Sequence, residues 1–134
     1  MKRWLGIVVV LAHFVIVLLH GSAHTKLKIE LAAWQTVFVL IVILLAPLVA
    51  AIVIWTRFSR FGFALLAAAM GGALVFGAYF HYLAISPDHV SHLPPGDAQG
   101  TFRLTALLLA ITEAIGLTIG LVYSRREARS AAMK

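Results

Sequence analysis

The chain has 134 residues, of which 62% are hydrophobic and 12% are charged, and its mean hydropathy is +0.99. A soluble domain is closer to half apolar, with about a quarter of its residues charged. The lack of cysteine excludes disulfides, thiolate metal sites and cysteine nucleophiles. The net charge of +6 does not indicate nucleic acid binding, because the basic residues stand at the ends of apolar runs and not along one soluble face.

Four apolar stretches are long enough to cross a bilayer, which takes roughly 20 residues. In chain order they cover about residues 4–21, 31–55, 61–85 and 102–123. Pro47 lies inside the second stretch and is expected to kink that helix, since proline removes one backbone hydrogen bond. We predict an all-α integral membrane protein, with one domain over residues 1–134 in which four transmembrane helices form an up-and-down bundle.

The basic residues predict the orientation, because Lys and Arg accumulate in short cytoplasmic loops. Eight of them fall on one side of the predicted bundle: Lys2, Arg3, Arg57, Arg60, Arg125, Arg126, Arg129 and Lys134. The other side holds three, namely Lys26, Lys28 and Arg103. We therefore expect both termini in the cytoplasm and the inner membrane of a bacterium as the location. The lipid bilayer is the predicted partner, with a homo-oligomer or a larger membrane complex as further possibilities.

An alternative for the first stretch is a secretory signal peptide. A basic N-terminus precedes an apolar run, and the run ends in the small residues Gly21, Ser22 and Ala23, which is typical of a cleavage site. His13 and His20 inside the run are atypical of a signal. The sequence therefore favours an intact first helix.

Histidine is unevenly distributed along the chain. All six histidines fall in or beside the half of the bundle that is predicted to face outward: His13, His20, His24, His81, His89 and His92. Imidazole is a common ligand of zinc, copper and iron, although no strict ligand motif is present. We predict a metal site at the outer face with ligands from His20, His24, His81, His89 and His92, and with Glu30 and Asp88 as accessory carboxylates. Interfacial anchoring and simple solvation are the alternatives without a site.

Two kinds of cofactor remain open. One is a bare zinc, copper or iron ion, held by histidine and carboxylate ligands. The other is haem b, for which His20 and His81 are the natural axial pair because they stand on different helices at similar predicted depth. Redox or cofactor-dependent chemistry would follow from either, and the sequence does not identify catalytic residues.

Glu113 lies near the middle of the fourth stretch, where an ionisable side chain is costly unless it finds a partner. Gly116 and Gly120 share its helix face with the spacing of a close-packing motif, so Glu113 should point towards another helix. His13 lies at the matching depth of the first stretch. We predict an intramembrane His13–Glu113 pair, which would act as a proton relay, an inner ion site or a structural contact.

Three functions of different classes are compatible with these features. The first is a membrane metalloprotein or haemoprotein with its site at the outer face. The second is a small cation or proton-coupled transporter that uses His13 and Glu113. The third is a non-catalytic accessory subunit of a larger membrane complex.

Overall fold

The computed structural model describes the backbone of residues 2–133 and the side chains of residues 3–129 and 133. The side chains of Lys2 and Lys134, which count towards the predicted cytoplasmic charge, lie outside the described part. All regular secondary structure in this range is helical. The elements are α1 (Lys2–Lys26), α2 (Ala33–Phe38), a π-helical segment (Val39–Leu45), α3 (Ala46–Ile54), α4 (Ser59–Ala78), a second π-helical segment (Tyr79–Leu83) and α5 (Gln99–Ala132).

Four helices in this range are long and apolar enough to cross a membrane, which confirms the predicted all-helical membrane protein. They cover Arg3–Lys26, Ala33–Ile54, Ser59–Leu83 and Gln99–Arg129. The second combines α2, the first π-helical segment and α3, and the third combines α4 with the second π-helical segment. We refer to them as the first to fourth spans.

The first span continues past the small residues at 21–23 instead of ending there. Thr25 donates its hydroxyl to Gly21 O at 3.1 Å, and the Leu27 N–H donates to Ala23 O at 2.9 Å. The backbone turns away only at Lys28, which has a positive φ of 53°. This extension keeps His24 on the same helix as His20.

The helix around Pro47 is disturbed in a specific way. Ala46 donates its N–H to Ile41 O, five residues back, so the segment before the proline is π-helical. Proline removes one helical hydrogen bond and crowds the carbonyl four residues earlier, and the wider turns of a π-helix accommodate both effects. The second π-helical segment ends with the Ala84 N–H donating to Tyr79 O at 2.7 Å.

The third and fourth spans approach each other closely through glycine. A Cβ on Gly120 would lie 2.6 Å from Ala67 N, and one on Gly116 would lie 2.7 Å from Met70 Cγ. The predicted close-packing role of these two glycines is confirmed. We call the surrounding region the packed half; its core contains Val9, Val10, Ala50, Ile54, Phe63, Leu66 and Met70.

A second core cluster lies in the region where the connection between the third and fourth spans packs against the end of the first span. Its members are Ala23, Leu27, Ile29, Leu93, Ala98, Phe102 and Ala106. We call this region the histidine half, because His20, His24 and His81 contact Phe102 within it. A third, smaller cluster of Val17, Ile43, Ala73 and Leu109 contains residues of all four spans.

Candidate functional site

Three histidines and one carboxylate converge in the histidine half. His20 and His24 come from α1, His81 comes from the second π-helical segment, and Asp88 comes from the connection that follows. The ring centroid of His20 lies 4.9 Å from the ring centroid of His24 and 4.9 Å from that of His81. The ring centroids of His24 and His81 are 6.3 Å apart. We call these four residues the histidine cluster.

The local structure explains this convergence. Residues four apart on a helix share one face, which places His20 and His24 together. The connection after His81 folds back over the helix end, because the Val90 N–H donates to His81 O at 3.0 Å and Arg103 Nε donates to Val90 O at 2.9 Å. Asp88 is thereby brought to within 3.1 Å of His24 Nε2 and is only 5% exposed.

The protonation pattern of His20 follows from Thr105. The Thr105 hydroxyl has one hydrogen, and it can donate this hydrogen to the backbone carbonyl of Thr101 at 2.7 Å. Its oxygen then accepts from His20 Nδ1, which lies 2.8 Å away. In this arrangement His20 carries its proton on Nδ1, and its Nε2 presents a lone pair.

The same logic applies to the other two rings. His81 Nδ1 lies 3.1 Å from the backbone carbonyl oxygen of Asp88, which can only accept, so Nδ1 is the donor. His24 Nε2 lies 3.1 Å from Asp88 Oδ1, and a carboxylate oxygen can only accept, so this ring nitrogen is the one that carries the hydrogen. Each neutral imidazole thus turns one N–H towards a protein oxygen and has a lone pair on its second nitrogen.

Several polar atoms of the cluster are buried without a hydrogen-bond partner in the described part of the chain. They are His20 Nε2, His24 Nδ1 and both carboxylate oxygens of Asp88, whose Oδ1 contacts His24 Nε2 at 3.1 Å and His81 Nδ1 at 3.5 Å without hydrogen-bond geometry. Buried polar atoms in native proteins are nearly always hydrogen bonded, so atoms like these point to a ligand, an ion or water. Phe102 packs its ring against His20, His24 and His81 at 4.5, 5.0 and 5.4 Å and provides no polar partner.

The charge of Asp88 is set by its neighbours. Burial raises the pKa of its carboxyl group, but the contact with His24 and the positive charge that His81, His24 and His20 carry when protonated lower it more strongly. The resulting pKa lies below the ordinary value of 3.8. Asp88 is therefore an anion at neutral pH and provides negative charge to the cluster.

A cavity of about 500 Å³ adjoins the cluster. Its apolar walls come from all four spans and include Val17, Leu18, Ile43, Leu44, Ala73, Phe76, Leu109 and Ala110. All four residues of the histidine cluster line it, together with Glu113. No lysine or arginine is present among the described residues of the lining.

Glu113 connects this cavity to a deeper polar contact. Glu113 Oε1 lies 3.2 Å from His13 Nε2, and the two residues are only 3% and 1% exposed. Gly77 separates this pair from the cluster: a Cβ at Gly77 would lie 3.9 Å from Glu113 Oε2 and 3.7 Å from His81 Cδ2. The cluster and Glu113 therefore border one continuous space, and His13 contacts Glu113 behind it.

The remaining candidates lie elsewhere. His89 and His92 form their own pair, with their Nδ1 atoms 3.1 Å apart. Both ring nitrogens of His89 are engaged, since Nε2 donates to Tyr82 O at 3.2 Å and Nδ1 accepts from the Ser91 N–H at 3.1 Å. Glu30 is exposed and is not among the residues that line the cavity.

Two residues contribute to the cluster in ways that the sequence did not indicate. Thr105 orients His20, and Phe102 forms an apolar wall against the rings. Their spacing of three residues, which places them on one face of the fourth span, is the signal that could have linked them.

The cluster is not arranged as a finished metal site. Within the described residues, no group of three or more His, Asp or Glu side chains is already positioned to hold a metal ion. The rings of His20 and His81 contact each other edge to face at 4.9 Å, which leaves no space for a macrocycle between them as they stand. Haem ligation by this pair would require the two helices to move apart.

Comparisons with protein-family models, characterised proteins and solved structures find no match for this chain. Function is therefore inferred from the chemistry of the site itself.

Proposed function

We propose that this integral membrane protein binds one divalent transition-metal ion through His20, His24 and His81, with Asp88 as a charge-balancing neighbour or fourth ligand. The observation that carries the proposal is the contact that each of the three rings makes with a protein oxygen. Each ring directs one nitrogen to a protein oxygen and leaves the other nitrogen free. Metal-binding histidines almost always have such an outer partner, which fixes the tautomer and the ring orientation.

The spacing of the rings supports the same conclusion. In a tetrahedral site with metal–nitrogen distances of about 2.0–2.1 Å, ring centres lie roughly 3 Å from the ion and roughly 5 Å from one another. The observed separations are 4.9, 4.9 and 6.3 Å. Two of the three separations match a tetrahedral site, and the rings of His24 and His81 would have to approach each other when an ion binds.

The ligand types limit the choice of metal. Imidazole nitrogens with one carboxylate suit zinc, copper, nickel or iron, whereas calcium and magnesium prefer sites made of oxygen ligands. The chain has no cysteine, so a thiolate cannot contribute. We favour zinc or copper as the ion, and redox or cofactor-dependent chemistry as the use of the site.

The proposal also includes an orientation. If the helices run up and down with both termini in the cytoplasm, the cluster faces the outside of a bacterial inner membrane. The excess of arginine at the opposite end supports this arrangement, since Arg57, Arg60 and Arg126 fall there with the packed half.

The test is a metal titration of the detergent-purified protein after chelator treatment. We expect one equivalent of Zn²⁺ or Cu²⁺ per chain by calorimetry and elemental analysis. His20→Ala, His24→Ala and His81→Ala should each weaken binding at least tenfold, and copper-loaded protein should show nitrogen couplings in its paramagnetic resonance spectrum.

His89→Ala and His92→Ala are the matched controls. Both histidines lie in the connection that contains Asp88, and neither lines the cavity. They should bind metal as the wild type does. Equal metal content in the wild type and in a His20→Ala, His81→Ala double variant would overturn the proposal.

A second candidate function is proton or cation transfer through the His13–Glu113 pair. The observation that favours it is that Glu113 lines the same cavity as the histidine cluster while also contacting His13. In this case Glu113→Gln should abolish transport into sealed vesicles and leave folding unchanged.

A further inference from the structure

We infer that the cavity beside the histidine cluster binds a lipid-soluble hydroquinone, the reduced form of a quinone, which enters from the bilayer. This inference goes beyond metal binding and does not depend on it. It is carried by the size, the apolar walls, the charge and the hydrogen-bonding atoms of the cavity.

The cavity has the dimensions and walls of a small-molecule site. Its volume of about 500 Å³ lies within the range of roughly 300–1,000 Å³ that is usual for ligand pockets. Phe76 and Tyr82 supply aromatic surface to the lining. Flat rings pack well against such side chains, in offset or edge-to-face contact.

The opening suits a ligand that is dissolved in lipid. Leu18 and Tyr82 both line the cavity, and they are 53% and 39% exposed on the surface of the bundle. Both residues belong to helices that can span a membrane. These two residues therefore mark the side of the cavity from which a molecule dissolved in the bilayer would enter.

The charge of the lining disfavours the commonest lipids. Asp88 and Glu113 provide carboxyl groups, and no lysine or arginine is present among the described lining residues to bind an anion. Phospholipid phosphates and fatty-acid carboxylates are therefore disfavoured by repulsion in a region of low dielectric. A plain acyl chain would fill the space but leave the buried polar atoms without partners, which costs free energy.

The polar atoms select the reduced form of the ring. Asp88 Oδ2 is buried without a hydrogen-bond partner, and Glu113 Oε2 lies on the Gly77 side, away from the oxygen that contacts His13. The carboxylate of Asp88 can only accept, so the matching ligand donates an O–H group to it. A hydroquinone has such groups, whereas a quinone presents only acceptors.

The probe is decylubiquinol, titrated under anaerobic, chelator-treated conditions into the detergent-solubilised protein and followed by calorimetry. We expect saturable binding of one equivalent per chain. The dimethyl ether of the same hydroquinone, which has lost both O–H groups, should bind at least tenfold more weakly. A site built around hydroxyl groups rejects an analogue without them.

Two glycines provide a matched pair of variants. Gly21 and Gly100 are both exposed helical residues with no heavy atom within 4 Å of the position of a Cβ, but only Gly21 lines the cavity. Gly21→Phe should weaken decylubiquinol binding at least tenfold, and Gly100→Phe should leave it unchanged. Ala110→Phe blocks the wall formed by the fourth span and provides the same test if Gly21→Phe does not fold.

Three results would overturn the inference. The first is equal decylubiquinol binding by Gly21→Phe, Ala110→Phe and Gly100→Phe, because the probe would then be partitioning into the detergent and not binding in the cavity. The second is equal affinity for the hydroquinone and its dimethyl ether. The third is tighter binding of tetraphenylphosphonium, which would assign the cavity to lipophilic cations. Metal content, measured separately in the wild type, reports on the metal proposal alone.

Discussion

The packed half and the histidine half are built from the same helices but packed in opposite ways. In the packed half, the backbones of the third and fourth spans approach until a Cβ on Gly120 would lie 2.6 Å from Ala67 N. In the histidine half, the same two spans and the first two surround a cavity of about 500 Å³. The packed half has no room for an added Cβ at Gly120, whereas the histidine half encloses a cavity.

The two π-helical segments show how this space is made. Both contribute to the cavity lining, with Ile43 and Leu44 from the first and with His81 and Tyr82 from the second. The packed half is built from ordinary α-helix. Single π-helical turns are costly and occur often at functional sites, where they redirect side chains.

The contrast between the two halves indicates where this protein tolerates buried polar atoms without partners. Buried polar atoms without partners, such as His20 Nε2 and Asp88 Oδ2, each cost about 1–3 kcal/mol when nothing binds them. Close packing around Gly120 stabilises the bundle by dispersion contacts. We interpret the packed half as the source of stability and the histidine half as the place where function is located.

The greatest loss of stability is expected when a side chain is added in the packed half. In Gly120→Leu the new Cβ would meet Ala67 N at 2.6 Å and Phe63 O at 2.7 Å, and these backbone atoms cannot rotate away. Overpacking usually costs about 1–3 kcal/mol, and we expect a loss at or above the upper end of that range. Thermal unfolding in detergent measures it.

The matched change in the histidine half is Gly21→Leu, where nothing lies within 4 Å of the Cβ position. The free energy of unfolding of this variant should lie within about 0.5 kcal/mol of the wild-type value, as is usual for surface substitutions. If Gly120→Leu and Gly21→Leu were equally stable, the contrast between the two halves would be wrong.

An intermediate effect is expected where the two halves meet, at Glu113. Glu113→Leu leaves His13 buried without its partner, and the free energy of unfolding should fall by about 1–2 kcal/mol, the scale of a hydrogen bond between membrane helices. Glu113→Gln keeps the shape and hydrogen-bonding capacity and should melt as the wild type does. Thr118→Leu, at an exposed position of the same helix, is the control for added apolar surface.

The same two variants distinguish a structural contact from a relay. If Glu113→Gln keeps normal, pH-dependent proton uptake in sealed vesicles, the pair is structural. If Glu113→Leu also melts as the wild type does, the contact with His13 contributes nothing and the halves do not depend on each other at this depth.

The sequence predicted the features that depend on helix periodicity and depth. Long apolar runs predicted four helices of spanning length, and the spacing of Gly116 and Gly120 predicted close packing. Matching depth paired His13 with Glu113, and the structure has their side chains 3.2 Å apart. Each of these inferences requires only the order of residues along one helix and the thickness of a bilayer.

The sequence could not separate the six histidines into groups, because that depends on the path of the connection. The hydrogen bond from the Val90 N–H to His81 O carries Asp88 into the cluster, while His89 and His92 pair with each other. It also could not predict that α1 continues through Gly21, since this glycine is compatible with either a helix end or a helix interior.

The smallest expected effect is at Thr105, and it tests whether the histidine half is organised for a metal. Thr105 is a positioning residue: its hydroxyl can donate to Thr101 O, so it accepts from His20 Nδ1 and keeps the His20 Nε2 lone pair free. Thr105→Val removes this acceptor while keeping the shape, and loss of an outer hydrogen bond typically weakens metal binding by about 10–100-fold. We expect about tenfold, at the lower end of that range, because His24 and His81 keep their own partners.

Thr112→Val is the control, since the Thr112 hydroxyl bonds only to backbone carbonyls of its own helix. Zn²⁺ affinity by calorimetry should fall in Thr105→Val, recover in Thr105→Ser and stay unchanged in Thr112→Val, with similar melting of all three. Recovery in Thr105→Ser is the result that a merely structural role would not give, because serine restores the hydroxyl but not the methyl group. If Thr105→Val and Thr112→Val bind Zn²⁺ equally, the hydroxyl does not hold His20 for a metal, and the free Nε2 requires another explanation.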